Sequence, residues 1–158
     1  MRKAKKNFIL IGILLLSIVM YFLYPKSGSF DNLVFEKINK NSITEIRIIE
    51  QRSDYDDMKK IEETETIQNI LSKLCNLNII QYKMDIPKDW NKVYDIEFSN
   101  NYKAISDDKE KPVYDLTISF YDTGYITVYG EGTLKAKNYK IINDSDIKHI
   151  NELLSQFS

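Results

Sequence analysis

Two apolar periods run along this chain, one of two residues and one of three to four. Tyr114, Leu116, Ile118 and Phe120 alternate with Asp115, Thr117 and Ser119. Alternation of this kind marks a strand with one buried face. Asp122-Thr123-Gly124 follows, with the glycine free to take a positive φ, and Tyr125 to Tyr129 returns with Ile126 and Val128 on the inner side. Together these predict a hairpin. The period of two recurs where Ile46 and Ile48 alternate with Glu45, Arg47 and Glu50, and where Tyr94, Ile96 and Phe98 alternate with Asp95 and Glu97. Arg52 to Asp57 reads as a polar turn from which Met58 to Glu62 returns. Leu77 to Met84 reads as a strand, and so does Thr133 to Ile142 after a Gly130-Glu131-Gly132 turn.

The helical period appears twice. Ile67, Ile70, Leu71, Leu74 and Leu77 form one apolar stripe behind Thr64 or Thr66 as caps. Ile147, Ile150, Leu153, Leu154 and Phe157 form another, beginning near Asp144 or Ser145. Three- and four-residue spacing places each set on one helix face. Helices are therefore expected at about 64–77 and 144–157. A faint repeat links them. Ile61, Thr64, Ile67, Ile70, Leu74 and Leu77 line up with Ile141, Asp144, Ile147, Ile150, Leu154 and Phe157 at one constant offset. Any capped amphipathic helix after a strand gives such an alignment, and the fold class does not depend on duplication. The expectation is an α+β domain, a mainly antiparallel sheet with both helices on one face.

A different pattern precedes this domain. Phe8 to Tyr24 carries no charged residue, and Arg2, Lys3, Lys5 and Lys6 stand before it. As a helix the run would span roughly 25 Å, the short end for a bilayer core. Tyr21 and Tyr24 would lie at one headgroup level, and the basic start would stay in the cytoplasm. The expectation is a single-pass signal-anchor at 8–24 with everything after Pro25 outside the cell. The alternative is a cleaved secretory signal, with Ser27-Gly28-Ser29 as the small-residue cleavage site. The apolar run exceeds the usual signal core, which favours the anchor. The expected organisation is thus a basic start at 1–7, the span at 8–24, a linker and leading segment at 25–42, and the α+β domain at 43–158. Within the linker, Lys26 to Ser29 offers nothing to bury, whereas Leu33, Val34, Phe35 and Ile38 form a short apolar patch.

Composition narrows the chemistry. Without the four basic residues before the span, 18 Lys and Arg face 23 Asp and Glu, a net charge of −5. That balance gives no electrostatic case for nucleic acid. Cys75 is the only cysteine, so no internal disulfide forms, and a buried thiol without a cationic neighbour is inert. His149, the only histidine, sits beside the stripe of the last helix as an ordinary helix residue. Asp54, Asp56 and Asp57 cluster in a turn but lack the glycine and distal glutamate of a calcium loop. They are weak metal candidates, and Asn100 to Pro112 reads as a charged solvated loop. No glycine-rich phosphate loop, CxxC pair, HExxH or GxSxG occurs, and no cofactor is implied. What stands out is the face of the hairpin turned away from the core: Thr117, Ser119, Tyr121, Tyr125, Thr127 and Tyr129. Tyrosine is over-represented at recognition surfaces, although tyrosine and threonine are also good strand formers. Trp90, in a loop from Pro87 to Lys92, is a second candidate for contact.

In layout the chain resembles the small, singly anchored extracytoplasmic proteins of unknown function of low-GC Gram-positive bacteria. The resemblance is one of architecture: a basic start, one span, and a domain ending in a strand and a short helix. It carries no functional residues with it. The expected function is a non-enzymatic binding module that meets a protein, peptide or envelope ligand through Tyr121, Tyr125, Thr127, Tyr129, Thr117 and Trp90. The alternative is an envelope hydrolase or divalent-metal enzyme using the acidic loops.

Overall fold

The computed structural model describes residues 11–16, 24–36, 38–51, 57–100, 114–130 and 136–157. Eight strands form one sheet: β1 (Ser27–Ser29), β2 (Ile43–Glu50), β3 (Asp57–Ile61), β4 (Asn78–Tyr82), β5 (Val93–Asn100), β6 (Tyr114–Tyr121), β7 (Tyr125–Gly130) and β8 (Lys137–Ile141). Two helices join them, α1 (Thr64–Cys75) and α2 (Asp144–Ser155). The spatial order is β1-β4-β8-β7-β6-β5-β2-β3. Every neighbouring pair is antiparallel. The chain is α+β, as the two periodicities require.

One face of the sheet is the core face. In register across it lie Ile46 with Phe98, Ile48 with Ile96, Ile96 with Ile118, Ile118 with Val128, and Phe120 with Ile126. Both helices lay their stripes here: Ile67, Ile70, Leu71 and Leu74 from α1, and Ile150, Leu153 and Leu154 from α2. The spacing noted in the sequence holds in the structure. Asp57–Ile61 and Lys137–Ile141 are strands at the same offset as helices Thr64–Cys75 and Asp144–Ser155. In the sheet, β2 and β3 lie beyond β5 on one side, and β7 and β8 lie beyond β6 on the other.

Three expectations change. The segment taken as a linker belongs to the domain. Ser27, Gly28 and Ser29 pair with Ile80, Ile79 and Asn78 as an edge strand. Phe30 is fully buried, and its amide donates to the Leu77 carbonyl at 2.8 Å. Its ring stacks on Phe120 (6.0 Å) and meets Phe35 edge-on (5.2 Å), which meets Phe98 in turn (5.6 Å). Within the apolar patch, residues 31–35 form a single wide helical turn. The strand expected over Leu77 to Met84 is shorter, and residues 83–92 cross back over the sheet instead. The helix caps also move outward, to Glu63 and Asn143, although Thr66 Oγ1 still donates to the Glu63 carboxylate.

Residues 11–16 of the apolar run are helical, and the remainder of 8–24, apart from Tyr24, lies outside the described residues. Among the described residues, no helix is long and apolar enough to cross a membrane. The expected turns at 52–56 and 131–132 and most of the charged loop, 101–112, also lie outside them.

Candidate functional site

The helices occupy one sheet face, so the other is turned outward. Register sets its rows. Arg47, Glu97, Thr117 and Tyr129 lie side by side across β2, β5, β6 and β7. In the next row come Ile49, Asp95, Ser119, Thr127 and Asn138, with Tyr82 beyond. Tyr121 and Tyr125 flank the β6–β7 turn.

This face is partly roofed. Going from β4 to β5, the chain must pass from one side of the sheet to the other, and it does so over the outer face. Asn138 Nδ2 donates to the Met84 carbonyl at 3.1 Å, and the Trp90 ring tilts against Tyr121 at 5.7 Å. The Asn91 amide donates to the Asp122 carboxylate at 3.2 Å. Thus the structure brings together Trp90 and Tyr121, two candidates far apart in sequence. It also withdraws two side chains from contact. Thr127 is buried and its hydroxyl donates to Asn138 Oδ1 (3.1 Å), while buried Ser119 donates to Asp95 Oδ1 (2.6 Å). Thr127 is thus placed beneath the open surface of the face, bonded to Asn138, rather than on it.

Several aromatic side chains stay accessible on it. Tyr129 is 47% exposed and Trp90 38%, while Tyr82, Tyr121 and Tyr125 are half-buried. Sequence reading missed Tyr82. Its ring meets Tyr125 edge-on at 5.0 Å, and Lys140 Nζ lies 5.3 Å from the Tyr125 ring centre. Only its strand neighbour, unknown from sequence, reveals this pairing. Burial pushes the Tyr129 hydroxyl above the usual phenol range, and nearby Tyr121 and Asp95 add to the effect.

Charged groups rim the face toward β3. Glu45 accepts from Arg47 (2.7 Å) and Lys60 (3.1 Å), and Lys60 also reaches Glu62 (2.8 Å). Burial pushes the Glu45 carboxyl up, but the hydrogen bonds and charges of Lys60 and Arg47 outweigh it and hold the group below its ordinary value. Glu97 goes the other way. Its burial raises the carboxyl, Arg47 opposes this, and Asp95 and Glu45 add to the rise. The folded protein thus holds a proton that the unfolded chain releases. Stability is lost as pH rises from the ordinary glutamate value through the raised one. Glu97→Gln is expected to gain a few tenths of a kcal/mol at neutral pH. The advantage should vanish below about pH 4. Thermal melts of the two proteins across that range measure it, and a less stable variant at neutral pH would show that Glu97 is held as an ion.

The remaining candidates are placed apart. Asp54 and Asp56 lie outside the described residues, as does the side chain of Asp57. Among the described residues, no group of three or more His, Cys, Asp and Glu is arranged to hold a metal ion. His149 is exposed on α2. Cys75 has the cationic neighbour that the sequence did not reveal: Lys40 Nζ lies 3.8 Å from its Sγ. Lys40 is itself paired with Asp31, which accepts from the thiol at 3.4 Å. Burial and then Asp31 push the thiol up, so it stays protonated at neutral pH and is a poor nucleophile.

At the sheet's other face, beside α2, a cavity of about 580 Å³ opens. Tyr94, Ile147, Lys92, Asp122, Asn151 and Glu152 are among its lining residues. Compared with protein-family models, curated proteins and solved structures, the chain gives no match.

Proposed function

We propose that this chain is a membrane-tethered extracytoplasmic binding module. Its apolar run from Phe8 to Tyr24 anchors it by a single pass, with the basic start in the cytoplasm. The domain from Ser27 onward meets a protein or peptide partner outside. One observation carries the binding reading: five aromatic rings, Tyr82, Trp90, Tyr121, Tyr125 and Tyr129, gather on the sheet face that the helices leave uncovered. Large rings with polar tips give contact area at low entropic cost, and they dominate the energetics of recognition surfaces. The charge sequence around the apolar run supports the topology.

Trp90→Ala with Tyr121→Ala tests the surface. The pair is expected to weaken capture of the native partner from its own cells by at least about 30-fold, the scale of a 2 kcal/mol hot spot. The melting curve should keep a single cooperative transition. Undiminished capture by the variant removes the outer face from the function. The tether is tested by treating intact cells with a protease that cannot enter them. Cleavage beyond Pro25 is expected. Protection in intact cells that disappears once the membrane is opened reverses the topology.

A further inference from the structure

One edge of the sheet is open. β8 has β4 on its far side and β1 beyond that, whereas no strand lies beyond β3 among the described residues. Yet β3 and β8 stand at the same sequence offset as α1 and α2. The edge of β3 is thus the place where β4 has no counterpart. Such an edge presents unpaired backbone N–H and C=O groups to any strand that can lie against it. Its side chains carry a pattern. Asp57-Met58-Lys59 sets an acid and a lysine on either side of a methionine, and Asp56 and Lys60 repeat this one step further out in the sequence. Met58 is 56% exposed, and pairing with Ile49 sets it in the row of the outer face. Lys59, across from Ile48, is exposed with its Nζ 5.3 Å from the Phe157 ring centre.

We propose that this edge receives β3 of a second copy of the chain, antiparallel and centred on Met58. The charge pattern reverses sign about Met58, so a two-fold axis there makes the edge its own complement. Residue 57 of each copy then stands across from Lys59 of the other, and the two Met58 residues stand across from each other. Opposite charges directly across an antiparallel pair stabilise it, and like charges destabilise it. Sliding the pairing by one step sets Lys59 against Lys59, or Lys60 against Lys60 one step further. Only the register centred on Met58 joins opposite charges and covers the exposed methionine. The outcome is one continuous sheet across both copies. It leaves the aromatic rings of the outer face free and does not rest on their role.

Sedimentation of the full-length chain in detergent micelles tests this. A reversible dimer is expected, weakened by added salt. Asp57→Lys and Lys59→Asp should each weaken it about tenfold, since each sets like charges across the axis twice. The two variants mixed together should associate again, because lysines of one copy then face aspartates of the other. Melting curves of both should keep one transition. Thiol cross-linking of Met58→Cys in its own membranes, with Cys75→Ser to remove the native thiol, should join two copies. A wild-type chain that stays monomeric, single variants that associate as tightly as it does, or a mixture no tighter than its components overturns the proposal. A cross-link to a different protein alone gives the edge to that partner and overturns it as well.

Discussion

Replacing Phe30 by alanine is expected to destabilise the domain by about 3–5 kcal/mol, the usual cost of emptying a buried aromatic site. Phe30 is fully buried between Phe35 and Phe120, and Phe35 continues the contact to Phe98. The cavity left behind would border the rings of Phe35, from the wide turn, and Phe120, from β6. β6 is held on both sides by the sheet ladder and cannot close on it. The loss should also free the edge, because β1 pairs with β4 through only three residues and Phe30 fixes the chain immediately after it. Thermal unfolding followed by the fluorescence of Trp90, the only tryptophan, measures the cost. Leu33→Ala is the comparison, since Leu33 is only partly buried and should cost less. If Phe30→Ala costs under about 1 kcal/mol, within the range of surface changes, residues 25–36 return to the status of a linker.

Gly124→Ala is expected to cost about 2–4 kcal/mol for two separable reasons. Gly124 has φ +84°, in the left-handed region where a Cβ meets the backbone. A Cβ there would also stand 2.4 Å from Ile147 Cδ1 and 2.7 Å from its Cγ1. The turn is locked at both ends. The Gly124 amide donates to the Tyr121 carbonyl at 2.8 Å, and the Ile141 amide donates to the Gly124 carbonyl at 2.9 Å. The backbone therefore cannot swing away from α2. Combining Gly124→Ala with Ile147→Ala separates the two causes. The clash disappears in the double variant and the backbone strain remains. The double variant should then be more stable than the sum of the single losses by on the order of 1 kcal/mol. Strict additivity, measured by denaturant unfolding, would show that Ile147 moves aside freely and that backbone strain alone sets the cost.

Gly124 also shows how far local sequence reaches. Its place after Asp122-Thr123, between two alternating runs, marked the hairpin and its positive φ. The contact with Ile147 was not legible, because nothing local says which helix packs under which turn. The outer face divides in the same way. Alternation placed Thr117, Tyr121, Tyr125 and Tyr129 on one side of the hairpin, and register agrees. Alternation could not show that the β4–β5 crossover reaches Asn138 or that Trp90 reaches Tyr121. Both follow from β4 lying four places from β5 in the sheet order.

The physical division is between period and partner. A side chain's burial period is imposed by its own backbone, at two residues for a strand and three to four for a helix. Ile46 to Glu50, the Tyr114–Tyr129 hairpin and the stripes of α1 and α2 therefore declared themselves in sequence, and so did their common offset. Partner choice depends on which distant surfaces bury the most together, and short or polar segments carry no period to announce it. Ser27–Ser29 became a strand because β4 offered an edge, and Phe30 became core because the Phe35–Phe120 gap received it. Tyr82 meeting Tyr125, Lys92 reaching Glu50 and the cavity over Tyr94 likewise exist only once eight strands are set in order.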